Sequence, residues 1–106
     1  MRVKVEATTV WFNDGDELVE KYPFLKDSRF KMELVPTGHN REFFRDGRWQ
    51  NREKREAYIT IDSLKDLQSF IKSAKKCNED IYDGQTILML GDDGDWRIEI
   101  YDGYRE

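Results

Sequence analysis

Ala57-Tyr58-Ile59-Thr60-Ile61-Asp62-Ser63-Leu64-Lys65-Asp66-Leu67-Gln68-Ser69-Phe70-Ile71-Lys72 carries a strand straight into a helix, and the fold class follows from that junction. Ala57 to Ile61 are rich in residues that suit a pleated surface. Asp62 or Ser63 can cap a helix, and Ser63 with Asp66 three positions on resembles a capping box. Leu64, Leu67, Phe70, Ile71 and Ala74 then form one apolar stripe at i, i+3, i+6, i+7 and i+10, which predicts an amphipathic helix to about Lys76. Lys72, Lys75 and Lys76 suit its negative end.

Downstream, Asn78 to Gln85 is polar and reads as a loop, with Asp83-Gly84 as its turn signal. Thr86–Leu90 and Asp95–Tyr101 form a hairpin across Gly91-Asp92-Asp93-Gly94, residues that tolerate positive φ. The unbroken apolar run Ile87-Leu88-Met89-Leu90 predicts a central strand covered by the helix on at least one face. Upstream, Val3, Val5, Ala7, Thr9 and Trp11 alternate with Lys4, Glu6 and Thr8, predicting a half-buried strand over Arg2–Phe12. Asn13-Asp14-Gly15 breaks it, and Asp16 caps a short helix to about Tyr22 that Pro23 stops. Phe30, Met32 and Leu34 alternate in a second strand, Arg29–Val35, which Pro36-Thr37-Gly38 closes. The whole is α+β, one principal helix packed on a largely antiparallel sheet of four or five strands, with a second short helix near the N-terminus. The 106 residues suit a single domain, in which 36–56 is a basic, aromatic loop or hairpin insertion.

That insertion is the segment the fold leaves unexplained. Arg41 to Arg55 reads R-E-F-F-R-D-G-R-W-Q-N-R-E-K-R, with Phe43, Phe44 and Trp49 at no core period. A two-residue turn at Asp46-Gly47 would set Phe44 against Trp49 and Arg45 against Arg48. Opposed arginines repel unless an anion lies between them, and exposed aromatic rings beside arginines are what interface hot spots use. The candidate binding residues are therefore Arg41, Phe43, Phe44, Arg45, Arg48, Trp49 and Arg52. The competing reading is a solvated surface loop whose Phe44 or Trp49 folds back on the sheet.

Charge is segregated. Residues 26–56 carry nine basic and six acidic groups, whereas 57–106 carry six and eleven, within a net charge of −4. The whole chain repels nucleic acid although its middle does not. No apolar run approaches the ~20 residues of a membrane helix, and the alternating N-terminus does not read as a signal peptide. One cysteine, Cys77, excludes an intrachain disulfide and points to a cytoplasmic setting.

Catalytic constellations are thin. His39, the only histidine, sits in a turn-like Thr37-Gly38-His39-Asn40, and Cys77 lies past the basic end of the helix, where no thiolate is stabilised. Asp14-Gly15-Asp16 and Asp93-Gly94-Asp95 share a pattern explained by turns, without the spacing of a calcium loop. No glycine-rich phosphate loop follows a strand. The expectation is a non-enzymatic protein with no cofactor and no metal.

I-T-I-D-S-L-K-D-L-Q-S-F-I-K with the closing W-R-I-E-I-Y-D-G-Y-R-E resembles the C-terminal half of small uncharacterised proteins encoded by phages and other mobile elements of bacteria. The resemblance covers less than half the chain and rests on fold-determining residues. It implies a source, and proteins of that source often bind and inhibit a host factor, including host-defence enzymes such as CRISPR effectors. Two classes of function follow. The first is an interaction or inhibitor protein with a protein partner, including an acidic mimic of nucleic acid built on Glu79, Asp80, Asp83, Asp92, Asp93, Asp95, Glu99 and Asp102. The second is a small nucleic-acid-binding module that uses 41–55. Neither involves a membrane.

Overall fold

In the computed structural model the strand-to-helix junction closes as the capping residues require. Ser63 takes the N-cap, its Oγ accepting from the Asp66 amide at 3.1 Å. The structure describes residues 1–8, 10, 14–79 and 85–101. Among them the order is β1 (Arg2–Ala7), α1 (Gly15–Lys21), β2 (Glu33–Arg45), β3 (Arg48–Thr60), α2 (Leu64–Cys77), β4 (Gln85–Leu90) and β5 (Trp96–Tyr101). The protein is α+β, with a five-stranded mixed sheet ordered β2-β3-β1-β5-β4. All pairings are antiparallel except β1 with β5. None of these helices is long and apolar enough to cross a membrane.

The insertion of β1 between β3 and β5 corrects one expectation. Because β5 pairs with β1, its hairpin partner β4 is pushed to the sheet edge and is not the central strand its apolar run suggested. Val3, Val5 and Ala7 of β1, Ala57 and Ile59 of β3, and Ile98 and Ile100 of β5 line the buried face, the period of two that a one-sided sheet requires. Over them lies an aromatic cluster. Phe70 of α2 meets Phe24 and Phe30 edge to face, at ring centroid distances of 5.2 and 5.4 Å, with Tyr22 against Phe24 at 6.2 Å. Such pairs add to their area burial because positive ring edges meet negative faces. Phe70 and Ala74 are buried and Leu67 partly so, while Leu64 and Ile71 of the expected stripe are exposed.

Two boundaries also differ. Phe30 belongs to a 3₁₀ turn, Ser28–Phe30, which follows another at Pro23–Lys26. Asp27 caps the later turn by accepting from the Arg29 amide at 2.9 Å, and Lys31 reverses the chain at φ 45°. The second strand therefore starts at Glu33. It does not end at Pro36-Thr37-Gly38 either: the register slips between Pro36 and Asn40 and the strand continues. Gly38 takes φ 78° there, and Thr37 Oγ donates to the Lys54 carbonyl at 2.8 Å, so the proline produces a bulge within a 13-residue strand. The first helix is capped by Asp14 rather than Asp16. Thr9, Trp11 and Phe12 of the expected first strand, the Asp83-Gly84 turn and the tail 102–106 lie outside the described residues.

The opposite face of the sheet is polar and paired. Lys4 Nζ lies 3.0 Å from Glu6 and 3.3 Å from Glu56, Tyr58 Oη donates to Glu56 at 2.9 Å, and the Arg2 guanidinium sits 3.9 Å from the Tyr58 ring centre. Burial alone would push the Glu56 carboxyl up, but the Tyr58 hydroxyl and Lys4 outweigh it and hold the carboxyl below the usual glutamate range. Burial would likewise lower Lys4, and Glu6 and Glu56 reverse that and raise it.

Phe70→Ala empties the centre of the aromatic cluster and is expected to cost about 3–5 kcal/mol in urea unfolding. Glu56 contributes stability that is complete above the ordinary glutamate value near 4.5 and is lost as pH falls through its own lower value. Glu56→Gln is therefore expected to flatten the acid limb of a Tm-against-pH profile; an unchanged limb would show the network has no thermodynamic weight.

Candidate interface at the tip of the β-ribbon

Residues 41–55 are not a loop. Their turn is Asp46-Gly47, both at positive φ, 55° and 76°, as the two central residues of a type I′ turn require. The register is the one that turn dictates: Phe44 opposite Trp49, Arg45 opposite Arg48, Phe43 opposite Gln50 and Arg41 opposite Arg52. β1 pairs with β3 only from Ala57 to Thr60, so the rest of β2 and β3 projects past the sheet as a two-stranded ribbon.

The segment's arginines divide into two groups. At the base, Arg52 Nη2 lies 3.2 Å from Asp16, Arg55 Nε donates to Asp16 Oδ2 at 3.0 Å, and Arg41 pairs with Glu17 and lies 3.7 Å from Asp14. Burial makes these contacts matter, with side-chain exposure of 1% for Asp14 and 12% for Arg41. Asp14 is the N-cap of α1, accepting from the Asp16 amide at 2.9 Å, and Asp16 and Glu17 occupy its first turn. The helix can approach this closely because position 15 is glycine. A Cβ on Gly15 would stand 2.7 Å from Leu34 Cδ2, 3.0 Å from the Arg55 carbonyl oxygen and 3.1 Å from the Ala57 amide nitrogen.

At the tip, charge and apolar surface are left to solvent. Phe44 is 61% exposed and Trp49 73%, their rings packed edge to face at 5.7 Å. Neither folds back on the sheet. Among the described residues Arg45 and Arg48 make no ion pair, and the Arg45 carbonyl accepts from Gln50 Nε2 at 3.2 Å, tying the ribbon just below the turn. Phe43 is half-buried beneath the Arg41 guanidinium, 5.2 Å from its ring centre. Of the seven residues singled out by sequence, the structure groups Phe44, Arg45, Arg48 and Trp49 at the tip and sets Arg41, Phe43 and Arg52 in its support. The sequence reading did not single out Asp14, Asp16 and Glu17 as partners of these arginines. Their one signal was an acidic excess in residues 1–25, complementary to the basic excess of 26–56.

The other candidates hold no comparable arrangement. His39 is exposed within the bulge, and Cys77 is exposed in the last turn of α2. Asp14 and Asp16, weighed above as oxygen ligands, are directed at arginines, and Asp93 at Arg97, 3.0 Å away. Asp80, Asp83 and Asp102 of the acidic set lie outside the described residues. A cleft of about 230 Å³ on the polar face is lined by Glu6, Ala7, Thr8 and Glu99, with Glu6 held by Lys4. Comparison with protein-family models, with curated proteins and with solved structures finds no match.

Anchor and tip separate experimentally. Asp16→Ala leaves Arg52 and Arg55 without their partner and is expected to cost about 1–2 kcal/mol, a figure reduced for the partial exposure of both arginines. Gly15→Ala is expected to be destabilising by a comparable or larger amount because β3 backbone blocks the methyl group. Trp49→Ala and Arg48→Glu should stay within about 0.5 kcal/mol of the parent in chemical unfolding. A large loss in the tip variants would make the tip part of the fold.

Proposed function

We propose that this is a small, non-enzymatic, cytoplasmic interaction protein that inserts the tip of its β-ribbon into a site on a larger host protein, as a phage-type inhibitor of host defence would. One observation carries the reading: Phe44 and Trp49 stand paired and exposed beside Arg45 and Arg48, on a ribbon braced at its base by partly buried ion pairs. A monomer gains nothing from leaving two large rings in water, whereas a partner's apolar pocket removes them from it. Aromatic and arginine anchors of this kind account for hot spots of 2 kcal/mol or more. Bracing lowers the ordering cost, since the turn and the Phe44–Trp49 pair are set before contact. The link to phages rests on the sequence resemblance alone.

Nucleic acid is the second reading, favoured by Arg45 and Arg48, which make no ion pair among the described residues, next to rings able to stack on bases. Magnitude counts against it. With Arg41, Arg52 and Arg55 committed to α1, two tip guanidiniums neutralise about two phosphates, a log–log salt slope of only about −2.

An affinity capture from the host cell, run with the parent, Trp49→Ala and Arg48→Glu, tests the proposal. Both variants should lose the same partner while keeping the parent's Tm. Retention of that partner by both removes the tip as the interface. Titration with DNA and RNA at low salt covers the alternative: binding that falls with salt and vanishes in Arg45→Glu/Arg48→Glu would replace the protein partner with nucleic acid.

A further inference from the structure

Aspartate precedes glycine five times in this chain, at 14–15, 46–47, 83–84, 93–94 and 102–103. In such a pair the glycine has no side chain to hinder its own amide nitrogen, which can reach the carboxyl carbon of the aspartate before it. The fold decides which pairs are open to that reaction. Asp14 is buried, its Oδ1 accepts from the Asp16 amide at 2.9 Å, and Gly15 starts α1 hard against Leu34 and the β3 backbone. Asp93 is held too. Its carboxylate accepts from the Asp95 amide at 3.1 Å and from Arg97 at 3.0 Å, and both hold it below the usual carboxylate range, in the anionic form that lacks a good leaving group. The pairs at 83–84 and 102–103 lie outside the described residues.

Asp46-Gly47 differs at each point. Both residues are exposed, and among the described residues Asp46 makes no hydrogen bond or ion pair, although Arg45 and Arg48 stand beside it. Gly47 lies between the strands, so its amide is outside the ladder, which closes on Arg45 and Arg48, and nothing stands within 4 Å of its Cβ position. We propose that Asp46-Gly47 is a site of self-modification, at which the chain converts through a cyclic succinimide to a β-linked isoaspartate. The Gly47 nitrogen bonds to Asp46 Cγ, the carboxyl C–OH bond breaks, and the hydroxyl leaves as water with the amide proton. Water then adds to the ring at the main-chain carbonyl of Asp46 and cleaves that carbon from the nitrogen, so the chain runs on through Cγ and the α-carboxyl hangs free. Addition at the other carbonyl restores aspartate. One water leaves and one returns, with no oxidant and no enzyme.

The turn that permits this chemistry is the one that sets the tip. A type I′ turn needs positive φ at both central residues, which selects aspartate and glycine there, and it closes Arg45 on Arg48 across those two residues. A β-linkage adds one atom to that path. The closure then loses its geometry, and the edge-to-face contact of Phe44 with Trp49 in the next pair, at 5.7 Å, is released. Charge is unchanged, since one carboxylate replaces another. The modification stands on the turn alone. Its consequence for binding, a tip that ages from a preset form to a loose one, rests on the tip being the interface.

Ageing of the folded chain in neutral buffer, beside the same chain held unfolded in urea, tests this. A protease that cleaves after glutamate releases peptide 43–53 with Asp46 and peptide 7–17 with Asp14. In the folded chain 43–53 is expected to split into a second chromatographic peak of equal mass, by way of a form lighter by one water. Peptide 7–17 should convert in urea and stay intact in the folded chain. The purified isomer should lose the nuclear Overhauser contact between the Phe44 and Trp49 rings, and should capture less of any partner that the unaged chain holds through its tip. Aspartate retained at 46 in the folded chain while the urea sample converts, equal conversion of Asp14 and Asp46 in the folded chain, or a split that persists in Asp46→Ser overturns the proposal. An isomer that keeps the ring contact overturns the consequence for the tip. A chain that converts but captures no tip-dependent partner overturns the interface and leaves the modification standing.

Discussion

Three carboxylates at the start of α1 and three arginines on the ribbon form the contact on which the arrangement of this molecule depends. Asp16 takes Arg52 and Arg55, while Asp14 and Glu17 take Arg41. The net gain from partly buried ion pairs is modest, because desolvation offsets much of the attraction. Their geometry matters more. A two-stranded ribbon standing clear of its sheet has no core of its own and twists freely. Held at its base by a helix end, it presents its tip at a defined angle, and the close approach at Gly15 is what brings the carboxylates within reach.

The remainder of the fold leaves that contact undisturbed. α2 and the 3₁₀ turns supply the aromatic cluster, which covers one face of the sheet and makes that side dry. The other face is closed by Lys4, Glu6, Glu56 and Tyr58, a network in which each charge has a partner. Among the described residues, two groups of exposed apolar side chains stand apart from Met1, Leu64 and Ile71: the Phe44–Trp49 tip, and Ile87, Met89 and Leu90 of β4 with Trp96. They lie on opposite edges of the sheet.

Much of the fold was legible because its signals are local. The Ser63 cap, the period of the α2 stripe, the alternation in β1 and β5, and the Asp46-Gly47 turn each depend on residues within a few positions of one another. The errors have local causes too. Phe30, Met32 and Leu34 alternate as a strand would, but Asp27 captures the Arg29 amide and Lys31 adopts a left-handed conformation, so the first of the three ends a 3₁₀ turn. Pro36 and Gly38 carry the chemistry of a stop, yet on an edge strand a missing amide hydrogen costs no ladder bond, and the result is a bulge. In the candidate site, the pairs Phe44–Trp49 and Arg45–Arg48 were readable from the turn alone. The division of arginines between support and surface was not.

What the sequence alone determined is thus the inventory: an α+β domain, its principal helix, its hairpins, and an aromatic, arginine-rich ribbon tip. Only the tertiary structure decided which neighbour each element acquires. Asp16 and Arg55 are 39 residues apart, and no periodicity links them until α1 lies on the ribbon. The apolar run 87–90 reads as buried until β1 enters between β3 and β5 and sends it to the edge. Caps, turns and amphipathic stripes arise from covalent proximity. Ion-pair partners and strand order arise from packing, where residues distant in the chain compete for the same partners.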